Sequence, residues 1–166
     1  FFGLINVEGN PMVIEYNVRM GDPETEVVIP RIKSDFLELL IAASQQKLDQ
    51  VSIEIDNRSV TTVMLVSGGY PEAYQNGKII SGIENVQDSM VFHAGTKNLD
   101  DNILTNGGRV LAVTSFGNNL NEALNKSYNN ISKIQFDGMY YRKDIGFDLW
   151  DSKIQRFKDS KIERLK

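Results

Sequence analysis

The chain has 166 residues, 41% hydrophobic and 24% charged, enough for one sizeable core or two small ones, which excludes a disordered tail. Its 18 Lys and Arg against 22 Asp and Glu give a formal charge of -4, so no basic surplus exists to neutralise a phosphate backbone, and nucleic acid is set aside as a partner. No cysteine is present, which removes a disulfide scaffold, a thiolate zinc site and a Cys nucleophile; the apolar runs fall far short of the roughly 20 residues that span a bilayer, and the expectation is a cytoplasmic protein without membrane contact.

In chain order, Phe1 to Val7 reads as a buried strand, Glu8-Gly9-Asn10-Pro11 as a turn and Met12 to Val18 as its hairpin partner. The apolar opening without an initiator Met is expected to belong to a chain whose N-terminal part is missing. Arg19 to Thr25 and the following Val27-Val28-Ile29-Pro30 read as a charged loop. Ser34 or Asp35 caps a largely buried helix running to about Leu48. A soft boundary falls near residue 58, followed by short antiparallel strands at Val60 to Val66, Lys78 to Ile83, Met90 to Ala94 and Arg109 to Thr114, with a hairpin turn at Asn106-Gly107-Gly108. Leu120, Ala123, Leu124, Tyr128 and Ile131 recur at helical spacing between Asn119 and Ile134, and a last strand is expected near Gly138 to Arg142. Residues 150–166, with six Lys and Arg against three acids after Trp150, read as a basic amphipathic extension. The fold class expected is α+β.

Chemistry concentrates in Glu15-Tyr16-Asn17-Val18-Arg19-Met20-Gly21-Asp22-Pro23-Glu24-Thr25. On a strand, Glu15 and Asn17 share a face, where a carboxylate and an amide oxygen can share a hard cation with substrate phosphates, and Arg19 continues that face with a planar fork for phosphate or acyl-phosphate oxygens. The competing reading is a solvent-facing strand with ordinary polar alternation. Arg142-Lys143-Asp144 is a second candidate, a basic pair that is either an anion site or a solvated pair partly neutralised by Asp144. Gly107-Gly108-Arg109 reads as a tight turn with an exposed arginine, His93 as a hydrogen-bonded structural histidine, and Ser67-Gly68-Gly69-Tyr70 as a turn, since it lacks the Lys-Ser/Thr of a P-loop.

The run EYNVRMGDPETEVV (Glu15 to Val28) resembles the metal-binding strand and following loop of the phosphoribosylamine-glycine ligase family, ATP-grasp enzymes of purine biosynthesis. SGGYP at Ser67, VFHAGT at Val91, TNGGRVLAVT at Thr105 and FDGMYYRKDIG at Phe136 agree in order, so the likeness covers roughly residues 1–149. The resemblance implies the end of an ATP-grasp domain over 1–58, with antiparallel strands and a helix, then a small β-rich C-terminal domain with one packed helix over 59–149. It implies that Glu15 and Asn17 ligate the Mg²⁺ or Mn²⁺ that bridges the ATP phosphates, and that Arg19 serves the transferring phosphoryl group. It further implies that Asp22 and Glu24 orient glycine, and that Arg142 and Lys143 hold a ribose 5-phosphate. The implied reaction joins glycine to 5-phosphoribosylamine through glycyl phosphate. The glycine-rich loop, the lysines and the adenine pocket of an ATP-grasp site are absent from these 166 residues, so the chain is expected to be inactive without the missing N-terminal domains. Glu72-Ala73 after Tyr70-Pro71 departs from the family's small glycine-containing turn. The alternative is a non-catalytic binding or assembly module that keeps the fold.

Overall fold

In a computed structural model the chain is described over residues 2–150, so the expected extension lies outside the described residues beyond Trp150. β1 (Phe2–Val7) and β2 (Asn10–Tyr16) form an antiparallel ribbon. Their turn holds Glu8 and Gly9 both at positive φ, 51° and 88°, which twists the chain in the sense two paired strands need. The buried strand expected at the start is exposed instead: Phe2, Ile14 and Tyr16 are 70%, 65% and 69% accessible, because no further layer of the described residues packs on the ribbon.

The segment read as a loop after Arg19 winds into a short helix, α1 (Thr25–Val28), and a 3-10 turn over Ile29–Arg31. α2 (Phe36–Ser44) starts where expected: the Asp35 carboxylate accepts hydrogen bonds from the Leu37 and Glu38 amides at 2.8 and 3.2 Å. It ends four residues early and buries only Leu39 and Ala42, so its apolar stripe of Leu37, Leu40 and Ile41 faces outward, against the buried helix expected. Segments 31–33 and 54–56 are tied by the Ile32–Ile55 bridge, by Lys33 N to Glu54 O at 2.8 Å and by Asp56 N to Arg31 O at 2.7 Å.

The core lies in the second half. β3 (Ser59–Val66), β5 (Ser89–His93) and β8 (Arg109–Gly117) make an antiparallel sheet in the order β3-β8-β5, and α3 (Leu120–Ile131) packs against it. β8 is central and buried along most of its length because it is flanked by strands on both edges, which accounts for its near-continuous apolar run. Val63, Leu65, Val110, Leu111, Val113 and Ile131 have no accessible surface. Thr61 on β3, Ser115 on β8 and Ser127 on α3 satisfy one another's buried hydroxyls at 2.9–3.1 Å.

A second antiparallel sheet, in the order β4-β7-β6, contains β4 (Ile79–Ile80), β6 (Thr96–Leu99) and β7 (Asn102–Thr105). β6 and β7 were not expected: their polar sequence hides a hairpin whose turn, Asp100-Asp101, holds both residues at positive φ. Asn106-Gly107-Gly108 is therefore no hairpin turn but the passage from β7 in one sheet to β8 in the other. The strand expected over Lys78 to Ile83 contracts to β4, and the one near Gly138 to Arg142 contracts to a single bridge between Val66 and Tyr140. All described strand pairs are antiparallel, an α+β arrangement. No helix among the described residues is long and apolar enough to cross a membrane.

Candidate functional site

At the end of β2, Glu15 pairs with Gly3 while Val13 pairs with Leu4, leaving Ile14 as the extra residue of a bulge. The Glu15 side chain lies over Gly3: a Cβ added there would stand 2.9 Å from Glu15 Cγ, so the small residue opposite leaves the carboxylate room to fold across the ribbon. Asn17 follows the last residue of β2 and is half-buried. The row expected to continue through Arg19 breaks here, because Arg19 stands in a bend, with its Nη1 donating to the Met20 carbonyl at 3.2 Å.

The bend has a consequence for the pocket. Asn17, Arg19, Gly21 and Glu24, with Val18, Met20 and Val28, line a cavity of about 570 Å³. Gly21 is buried, and a methyl group there would overlap the Glu24 carboxylate, so glycine lets the Glu24 side chain fold back over the turn. Thr25 closes the same turn, its hydroxyl and amide donating to the Gly21 carbonyl at 2.6 and 3.0 Å. Glu15 lies outside this lining, on the strand that leads into it. Asp22 is also outside it: its carboxylate is 3.2 Å from Arg109 Nη1, which donates to the Asp22 carbonyl at 2.9 Å.

Arg142 lines a second cavity of about 320 Å³ with Tyr70, Arg109, Tyr140 and Tyr141, over Met64 and Val66 of β3. Asp144 takes the Arg142 guanidinium in two hydrogen bonds of 2.9 and 3.0 Å, and the guanidinium holds the Asp144 carboxyl below its ordinary pKa. Tyr128 Oη donates to the Arg142 carbonyl at 3.0 Å. Lys143 is exposed and outside the cavity lining, so the two adjacent cations are not brought to one place. His93 is exposed at the end of β5 with Nδ1 3.0 Å from Thr96 Oγ1.

The structure thus gathers Asn17, Arg19 and Glu24, keeps Glu15 on the adjoining strand, turns Asp22 to Arg109, and places Arg142 in a separate cavity. Arg109 and Tyr70, read from the sequence only as parts of turns, line the second cavity together. Gly108 makes room for that pairing, since a Cβ there would overlap the Tyr70 ring, a contact that local spacing does not signal. Among the described residues no group of three or more His, Cys, Asp or Glu is arranged to hold a metal ion.

Comparison with known proteins points to one family. The sequence profile of the family described as Phosphoribosylglycinamide synthetase, C domain, matches residues 60–148. Phosphoribosylamine-glycine ligase of Vibrio parahaemolyticus is 47% identical over 146 residues, covering 87% of this chain and 34% of the relative. The ligase of the same name from Escherichia coli K12 is 46% identical over 147 residues, with 87% and 34% covered, and that of Fusobacterium nucleatum is 44% identical over 150 residues, with 88% and 35% covered. The crystal structure of phosphoribosylamine-glycine ligase from Thermotoga maritima superposes with a TM-score of 0.69 at 36% identity, over 86% of this chain and 35% of that one. The chain spans about a third of the length of the curated relatives it matches.

Proposed function

The chain belongs to the phosphoribosylglycinamide synthetase family, whose C domain it contains, and from that premise we propose that it is the C-terminal part of a cytoplasmic ATP-dependent ligase. The parent enzyme would join glycine to 5-phosphoribosylamine, forming glycinamide ribonucleotide, ADP and phosphate in purine biosynthesis. In this reading residues 1–58 close an ATP-grasp domain and residues 59–149 form the C-terminal domain. The observation that carries it is the convergence of Asn17, Arg19 and Glu24 on one cavity at the end of the strand bearing Glu15.

Glu15 and Asn17 offer a carboxylate and an amide oxygen, hard donors suited to Mg²⁺ or Mn²⁺. A bound divalent ion would neutralise phosphate charge during transfer from ATP. Glu24 and Arg19 both line the cavity; the Glu24 carboxylate would take the glycine ammonium, and the Arg19 guanidinium would take the oxygens of the acyl phosphate formed when glycine carboxylate takes the γ-phosphoryl group. The amine of phosphoribosylamine then displaces phosphate from glycyl phosphate. Asp22 supports the acceptor loop, and Arg142, with Lys143 nearby, supplies positive charge for the ribose 5-phosphate. Such a site works by positioning and charge compensation, which is why it needs an arginine and a cation more than a strong base.

On its own the chain would be inactive, since the nucleotide pocket would lie on the parent's N-terminal domains. The outward apolar faces of β1, β2 and α2 support this over a self-contained binding module, because such surface is normally covered in the intact molecule. The test is ADP release with ATP, Mg²⁺, glycine and 5-phosphoribosylamine. The expected result is turnover by the protein expressed from its full reading frame, silence from the 166-residue chain, and a loss of about 100-fold or more in the full-length Glu15→Ala variant. A silent full-length protein, or an undiminished Glu15→Ala variant, would favour the module.

A further inference from the structure

Arg109 stands at the start of the central strand of the second half, yet its side chain reaches a turn 87 residues earlier in the chain. Its backbone is clamped from two sides. On one, Ser67 N donates to the Gly108 carbonyl at 2.8 Å and Ser67 Oγ to the Gly107 carbonyl at 2.8 Å. On the other, Gly95 N donates to the Arg109 carbonyl at 2.8 Å, and the Asn106 amide returns to the Gly95 carbonyl at 2.7 Å. Neither flanking wall has room for a side chain: a Cβ on Gly95 would stand 2.7 Å from Gly107 Cα, and one on Gly108 would strike the Tyr70 ring. The guanidinium is therefore carried on a base that cannot slide.

From that base, Nη1 engages Asp22 through both its carbonyl, at 2.9 Å, and its carboxylate, at 3.2 Å. Asp22 belongs to the turn whose neighbours Gly21 and Glu24 line the first cavity, while Arg109 lines the second beside Tyr70 and Arg142. One side chain thus joins the two cavities. We propose that Arg109 is a positioning residue that locks the Gly21–Glu24 turn onto the C-terminal sheet, so that Glu24 and the Arg142 cavity keep a fixed mutual placement; this rests on the ligase reading above.

The contact is poorly suited to a purely stabilising role. The Arg109 and Asp22 side chains are 38% and 62% exposed, and ion pairs that open to water contribute little to folding stability. What a hydrogen bond to the turn's carbonyl together with an ion pair to its carboxylate does supply is direction: the pair holds the turn's backbone as well as its charge.

Two readouts on the full-length protein test this, and one needs no activity. Hydrogen exchange at the amides of Thr25, Glu26, Val27 and Val28, all bonded within the turn and α1, is expected to accelerate about tenfold in Arg109→Gln, with β3 and β8 amides unchanged. Unaltered exchange in this segment, or acceleration spread equally over the sheet, overturns the proposal. In steady-state kinetics, Arg109→Gln is expected to raise the KM for glycine about tenfold with the KM for ATP unchanged, and Arg109→Lys to recover part of that loss. Asp22→Asn combined with Arg109→Gln should add little beyond the larger single effect, whereas full additivity overturns the coupling. A wild-type protein that makes no ADP would sink the ligase reading alone, and the exchange experiment would still decide whether Arg109 holds the turn.

Discussion

Asp56 illustrates how a single residue stitches the two halves. Its carbonyl accepts from Arg31 Nε and Nη2 at 3.1 and 3.0 Å, and its carboxylate accepts from the Arg58 amide, Nε and Nη2. Arg58 in turn lies 4.5 Å over the Phe116 ring on β8. The hydrogen bonds from Arg58 lower the Asp56 pKa from 3.8 to about 2. Because the folded value is depressed, the unfolded chain binds more protons between those values. The pair's contribution is complete above about pH 4 and disappears as the pH falls through about 2. Carboxyl NMR titration should place Asp56 near 2, and Arg58→Gln should return it toward the ordinary carboxylate range; a midpoint already near 3.8 in the wild type would contradict the pairing. At this scale the sequence marked residue types able to carry chemistry and left their partners open: Asp22 was read toward a ligand, and it meets Arg109.

Elements were legible where local chemistry sufficed. α3 begins at Asn119, whose side-chain oxygen accepts from the Glu122 amide at 3.0 Å, and Glu122 answers with Lys126 one turn on. Asn119→Ala should therefore lower stability by about 1 kcal/mol, read as a shifted denaturant midpoint with an unchanged slope. An unchanged midpoint would mean that α3 is held by Leu124, Ile131 and the sheet alone. β8 was equally plain, since only a strand buried between two others needs Val110 to Val113 without a polar break. β6 and β7 were missed because their pairing is carried by a turn of two aspartates rather than by apolar alternation. α2 was found and its environment misjudged: helical spacing places Leu37, Leu40 and Ile41 on the helix but says nothing of whether another layer covers them.

Across the whole molecule, two regions differ in how they are supported. The β3-β8-β5 sheet and α3 enclose a buried apolar core with satisfied hydroxyls, and the β1–β2 ribbon displays Phe2, Leu4, Ile5, Met12 and Ile14 to solvent. Exposed apolar side chains in such number on one two-stranded ribbon call for a cover. The 166-residue chain alone is thus expected to bind a hydrophobic dye and to self-associate in gel filtration, and Leu4→Ser with Ile14→Ser should suppress both while leaving the signature of the C-terminal core intact. A monomeric chain that binds no dye would mean the ribbon is covered from within. The order of motifs from Glu15 to Gly146 determined the family and the residue types able to carry the chemistry, because those depend on side-chain identity and local spacing. Which of them meet was decided only by the tertiary structure. A bulge at Ile14 and a bend at Arg19 redirect the row of polar groups, and the passage between two sheets at Gly107-Gly108 delivers Arg109 to Asp22, a contact that no local spacing could encode.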